Sequence, residues 1–157
     1  MIEESHTEEM SLETLLSNKL FSKHHIDSFN YLLNNGCSRI CESIQSVELL
    51  QSSKDEINSM KLSFQSLNFG TPSTCPFDQR LTGSSYVAPL FCNLTVEFDE
   101  TTKITKSVSL GEVPMMLMSS NCLLTKGIAK GTSVNNFNED DTEPGGYFII
   151  NGLEKIL

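Results

Sequence analysis

The sequence predicts an α+β domain with helices first and antiparallel strands after, on three observations. Ile26, Phe29, Leu33, Cys37, Ile40, Ile44 and Val47 recur at steps of three and four, the period of one buried helical face. Leu90, Cys92, Leu94, Val96 and Phe98 alternate with Phe91, Asn93, Thr95 and Glu97, the period of a strand. Near the C-terminus an apolar run meets Asn151-Gly152, the dipeptide best suited to a two-residue type I′ hairpin turn. Helices followed by runs of strands are the pattern of a segregated α+β layer architecture.

Residues 1–10 carry Glu3, Glu4, Glu8 and Glu9 with little to bury, and are expected as an acidic disordered tail. From Ser11 a short helix is expected, with Leu12, Leu15, Leu16 and Leu20 on one side. The longer helix should run from about Ile26 to Val47, weakened in its middle by Asn34-Asn35-Gly36, since glycine costs about 1 kcal/mol there against alanine. Gln51 to Asn58 close it or begin a loop. Residues 60–69 should form a strand. Leu62 and Phe64 lie on one parity and Leu67 and Phe69 on the other, so a bulge near Gln65-Ser66 is required.

Gly70 to Gly83, punctuated by Pro72 and Pro76, is expected as loop. The strand at 90–98 is then followed by a polar turn at Asp99–Lys103. A return strand, with Ile104, Val108 and Leu110, has only a weak apolar face. Pro114 lacks an amide proton and belongs at a strand start or edge. Residues 125–144 read as loop with an acidic knot at Glu139-Asp140-Asp141, and residues 145–157 as the terminal hairpin. Residues 11–157 are therefore assigned to one truncated domain. Leu157 falls mid-strand, which reads as a piece of a longer chain whose open edge at 153–157 invites aggregation and poor solubility.

Composition narrows function. A hydrophobic content of 38% and a charged content of 20% fit an ordinary globular protein. The formal net charge of −9 argues against a free-standing nucleic-acid binder held by a basic stripe. No apolar stretch reaches the ~20 residues that span a bilayer, and the N-terminus has no secretory pattern, so no membrane partner is expected. Five cysteines without such a pattern read as reduced thiols. Asn93-Leu94-Thr95 matches a glycosylation acceptor, which would need a secreted protein.

No residue set assembles a catalytic or metal site. Cys37 and Cys41 fall inside the apolar stripe and read as core, as does Cys122. His24-His25 should point to different faces and serve as cap or solvent contacts. Met115, Met116 and Met118 read as a core strand or an adaptable contact surface. The acidic run 139–143 lacks the ligand spacing of a calcium loop and is expected to be solvated. Arg80 and Lys155 are the candidate contacts to nucleic acid or a neighbouring subunit, with a plain surface charge as the simpler account.

Three segments, in order and spacing, resemble the second-largest (beta-type) subunit of the eukaryotic DNA-directed RNA polymerases. They are Arg80-Leu81-Thr82-Gly83-Ser84-Ser85-Tyr86-Val87-Ala88-Pro89-Leu90, the run from Leu110-Gly111-Glu112-Val113-Pro114-Met115 to Ser119-Ser120-Asn121-Cys122-Leu123, and the terminal Gly145-Gly146-Tyr147-Phe148-Ile149-Ile150-Asn151-Gly152-Leu153-Glu154-Lys155. His25-Ile26-Asp27-Ser28-Phe29-Asn30 is similar to the start of the family's first long helix, so the resemblance covers roughly residues 20–157. Leu153 and the acidic link 138–143 are more similar to polymerase I than to polymerases II or III. Thr82 departs from the family, whose loop often has a second basic residue there.

The resemblance implies the N-terminal part of the protrusion, an α+β wall of the DNA cleft, in a nuclear and specifically nucleolar enzyme. Its implied partners are the largest subunit, the other subunits and template DNA. The parent enzyme is a nucleotidyltransferase using Mg²⁺ held mainly by the largest subunit. No catalytic residue and no cofactor transfer to this chain, which is expected to be inactive alone. Two other classes remain: a stand-alone α+β protein-interaction module without polymerase activity, and a cysteine-dependent enzyme, which would require a low-pKa thiolate.

Overall fold

The computed structural model describes residues 18–52, 57–98 and 102–156. The acidic tail, all but the end of the short helix expected from Ser11, and most of the Asp99–Lys103 turn lie outside these residues. Helix α1 (Asn18–Tyr31) runs through a π-helical turn (Leu32–Gly36) into α2 (Cys37–Ser43). Strands β1 (Val47–Ser52), β2 (Ile57–Phe69), β3 (Val87–Phe98) and β4 (Thr102–Pro114) form an antiparallel sheet in that spatial order. Helix α3 (Pro76–Thr82) lies between β2 and β3. Helix α4 (Leu123–Ala129) and a 3₁₀ turn (Val134–Phe137) follow β4, and β5 (Phe148–Ile150) with β6 (Leu153–Lys155) make a separate hairpin. The α+β class stands.

The helical stripe is altered where the sequence marks weakness. The π turn covers Asn34-Asn35-Gly36 and inserts an extra residue into one turn. The buried face therefore leaves the turn through Cys37 and Cys41, while Ile40 and Ile44 are exposed. The helix also ends earlier than its period predicts. Ile44 is already extended, and Val47 opens β1, paired with Leu62. Val47-Glu48-Leu49-Leu50 continues a helical apolar period equally well, and only the ladder to β2 decides for a strand. Gln51 and Ser52, expected in a loop, belong to that strand, and Ile57 and Asn58 to β2.

Two further loop expectations are corrected. Pro76 opens α3 at the first turn, where a missing amide proton leaves no bond unmade, and Gly83 closes it in the left-handed region. The 125–144 stretch contains most of α4 and the 3₁₀ turn, and Ser133 caps the latter by accepting from the Asn135 amide. By contrast, the bulge required near Gln65-Ser66 is present: the β2–β3 register shifts between Phe64 and Ser66. Pro114 ends β4, an edge strand.

The main core sits at one end of the sheet. Tyr86, Ala88, Met115, Leu117, Cys122, Leu124, Tyr147 and Ile149 form one buried cluster, with Phe29, Leu33, Phe69, Met118 and Phe137 packed against it. Fully burying an aliphatic side chain such as Leu117 contributes about 1.5–3 kcal/mol. Main-chain bonds tie the pieces together: Tyr86 N–H to Ile149 O (2.9 Å), Met115 N–H to Tyr86 O (2.9 Å) and Leu117 N–H to Tyr147 O (2.9 Å). Met115 and Met116 are thus core, in an irregular segment after β4, not a strand.

Gly145-Gly146 sets the approach of the hairpin to this core. Both have positive φ (66° and 81°), and a Cβ on Gly146 would lie 2.6 Å from Ser22 Cβ. Asn151 (φ 52°) and Gly152 (φ 75°) make the expected turn, with Ile150 paired to Leu153.

Candidate functional site

Three features could engage a partner: a charged bracket at Arg80, one face of the sheet, and a groove beneath the hairpin.

Arg80 lies in the last turn of α3, its side chain 22% exposed. Its Nη1 donates to both carboxylate oxygens of Glu139 (2.7 and 2.9 Å), Nε to Glu154 Oε1 (2.8 Å) and Nη2 to the Tyr147 hydroxyl (2.7 Å). The Tyr147 hydroxyl in turn donates to Glu143 Oε1 (2.8 Å), and Gly145 N–H donates to the same oxygen (3.0 Å). Burial is the largest single influence and works against the guanidinium charge, but the hydrogen bonds and charges of Glu139 and Tyr147 together outweigh it and hold Arg80 further from deprotonation than usual. Burial pushes the Glu139 carboxyl up against the downward pull of Arg80. Burial also lifts Tyr147, and Glu143 adds to that.

The candidate contact residue Arg80 is therefore engaged within the chain, fastening α3 to the acidic segment and the hairpin. The acidic run is not uniformly solvated, since Glu139 is buried and Glu143 is turned inward. Glu139, Glu143, Tyr147 and Glu154 are separated from Arg80 by 59 to 74 positions, and no local signal in the sequence links them.

The sheet is amphipathic. Its register sets Val47, Leu62, Val96 and Ile104 in one cross-strand row, Leu49, Met60 and Phe98 in the next, and Leu67, Cys92 and Val108 further along. Cys92 is buried on this face, but Val47, Leu49, Phe98, Ile104 and Val108 stay 39% to 52% exposed. On the other face Lys61 pairs with Glu48 (3.9 Å), Lys103 with Glu97 (2.8 Å), and Thr95 Oγ1 with Thr105 Oγ1 (3.0 Å). A row of alternating charges offers no net positive potential to a phosphate backbone.

Beneath the hairpin, Phe29, Val113, Pro114, Phe148, Ile150 and the exposed Lys155 line an almost wholly apolar groove of about 380 Å³. A neighbouring groove of about 450 Å³ shares Phe29 and Phe148 and reaches His25, Tyr31 and Met116. The two candidate contacts therefore part company: Arg80 is enclosed in its bracket and Lys155 stands at a groove rim.

Cys37, Cys41 and Cys122 are buried as core residues. Burial pushes the Cys37, Cys75 and Cys92 thiols up, opposite to what a nucleophilic thiolate needs. The His24 and His25 rings do not diverge as expected. Their centroids lie 4.0 Å apart. The Asn93 side chain donates to Ser66 Oγ (3.0 Å), and Thr95 is buried. Among the described residues, no three His, Cys, Asp or Glu side chains are grouped to hold a metal ion. No described helix is long and apolar enough to cross a membrane.

A family model described as RNA polymerase beta subunit matches residues 20–157. DNA-directed RNA polymerase III subunit rpc2 of Dictyostelium discoideum is 32% identical over 145 residues, covering 86% of this chain and 9% of the relative. Polymerase III subunit RPC2 of Saccharomyces cerevisiae is 30% identical over 154 residues, covering 93% and 13%. Polymerase I subunit RPA2 of Euplotoides octocarinatus is 30% identical over 152 residues, covering 88% and 13%. The chain thus spans about a tenth of the length of these relatives.

Proposed function

The chain belongs to the RNA polymerase beta subunit family, and on that premise we propose that it works as a portion of the second-largest subunit of a nuclear DNA-directed RNA polymerase. Its role there is structural, as an element of the wall along the DNA cleft. It contributes no catalytic group. The observation that carries this is the half-covered apolar sheet face: exposed apolar rows on all but one strand are the mark of a surface meant to be packed. The rest of the same polymerase subunit is the proposed cover, and the largest subunit and template DNA complete the assembly.

The finer assignment to polymerase I, with a nucleolar location, rests on Leu153 and the acidic link alone. Polymerase III and polymerase I subunits align with the chain at comparable identity. Mg²⁺ and nucleotidyl transfer belong to the assembled enzyme.

The test has two arms. The purified chain is given a primed template, nucleotides and Mg²⁺, with no incorporation expected. The tagged chain is then expressed in eukaryotic cells and the largest polymerase subunit is sought in the eluate, with Ile104→Lys and Val108→Lys together as the comparison. Recovery of that subunit by the native chain and loss by the double variant is the expected result, and the class of the recovered subunit assigns the polymerase. Synthesis by the chain alone, or a monodisperse monomer that recovers no largest subunit, would overturn the proposal and favour a stand-alone interaction module.

A further inference from the structure

Strand β6 is hydrogen-bonded to β5 alone among the described residues. In a two-residue hairpin the pair beside the turn, here Ile150 and Leu153, exchanges both main-chain bonds. The main-chain groups of the next pair, Ile149 and Glu154, therefore point away from each other. On the β5 side that outward carbonyl is taken: Ile149 O accepts from Tyr86 N–H at 2.9 Å. On the β6 side the equivalent Glu154 N–H and C=O face an open edge.

The side chains complete the picture. Leu153 and Lys155 lie across from Ile150 and Phe148 on the groove side, whereas Ile149 and Glu154 turn to the core and to Arg80. Leu153 is 64% and Ile156 71% exposed. Lys155 makes no ion pair among the described residues and is the sole charged side chain lining the apolar groove. An open edge beside an apolar groove, with one cation at its rim, is the arrangement that strand addition uses: main-chain bonds give affinity and alternate side chains give selectivity.

We propose that the β6 edge accepts an extended segment of a partner polypeptide as a third, antiparallel strand of the hairpin sheet. The partner carries an apolar side chain opposite Leu153 and, two positions earlier, a carboxylate opposite Lys155. Cross-strand neighbours on one face meet directly, so each side chain of β6 specifies its own partner type. Arg80 Nε donates to Glu154 Oε1 (2.8 Å) on the side of β6 away from the groove. This goes beyond membership of a polymerase subunit: it rests on the edge, groove and cation of the described residues.

The probe is a fluorescein-labelled synthetic octapeptide in which a glutamate, a valine and a leucine alternate with threonines. It is N-methylated along one edge so that it cannot stack on itself. Binding to the full 157-residue chain is read by fluorescence anisotropy. The expected result is saturable binding that weakens about tenfold or more when methyl groups are moved to the edge facing β6. Lys155→Glu should weaken the glutamate peptide about tenfold and favour a peptide with lysine in its place. Lys155→Gln, which removes the charge at that position alone, should lose the preference between the two peptides. No binding up to about 1 mM, binding indifferent to the methylated edge, or a chain dimer that the peptide does not dissociate would each overturn the proposal, the last in favour of self-pairing.

Discussion

Replacing Arg80 with alanine removes the group that neutralises Glu139, and the structure gives the size of the loss. The Glu139 side chain is 5% exposed and receives two hydrogen bonds from one guanidinium nitrogen. Breaking a buried pair from one side leaves an uncompensated charge and costs about 3–5 kcal/mol. The Glu154 contact adds little, because that carboxylate is 54% exposed and such pairs contribute about 0–1 kcal/mol. Net stabilities of domains are about 5–15 kcal/mol, so the change removes a large fraction of the total. With a urea slope of about 1.5–2 kcal/mol per M, the midpoint should fall by about 2 M. The assay is equilibrium urea unfolding by far-UV circular dichroism at low micromolar protein, for Arg80→Ala, Glu154→Gln and Arg80→Met with Glu139→Gln. Glu154→Gln should cost about 1 kcal/mol or less, and the double variant should recover part of the single loss because the most enclosed carboxylate, Glu139, is no longer left as an unpaired charge, while Glu143 keeps the Tyr147 hydroxyl. A loss below about 1 kcal/mol for Arg80→Ala, or an equal loss for Glu154→Gln, would refute the assignment of Arg80 as the hub of the bracket.

Two other expectations follow from named contacts. Burial raises both the Tyr86 and Tyr147 phenols above their ordinary value of 10.0. The unfolded chain therefore ionises first, and the stability these groups contribute below pH 10 is lost as pH climbs toward their folded values; absorbance at 295 nm should rise together with loss of the circular dichroism signal, and Tyr147→Phe should flatten that dependence. Gly146→Ala places a Cβ 2.6 Å from Ser22 Cβ and 3.1 Å from Ser22 O at a φ of +81°. Left-handed strain alone costs about 1–2 kcal/mol, so a larger loss in urea unfolding is expected, with α1 amides exchanging faster; unchanged exchange in α1 would count against the Gly146–Ser22 approach as the seat of helix docking.

How much was legible in the residues varies by element. The terminal hairpin was readable because Asn151-Gly152 carries its conformational preference locally. The bulge in β2 was readable because a parity break between Phe64 and Leu67 has one economical geometric solution. Helix α3 had its signals, Pro76 at the start and Gly83 at the end, but proline and glycine also punctuate loops, and seven residues are too few for a period to show. Strand β1 had no distinguishing signal. Its apolar spacing fits a helix as well, and the ladder to β2 decided the matter.

The site follows the same division. Lys155 could be placed on the hairpin from local sequence, because its position follows from the turn two residues before its strand's midpoint. Arg80 could be named as a candidate, but not its fate. Glu139, Tyr147 and Glu154 reach it from three positions distant in the chain, and such convergence exists only once α3, the acidic segment and the hairpin are docked. The sequence by itself determined the periodicities, the turn chemistry and the family, all properties of neighbouring residues or of their order. Tertiary structure alone decided which charges are enclosed, where the helical face rotates and which strand edge is left open, because burial and pairing are set by segments that meet in space.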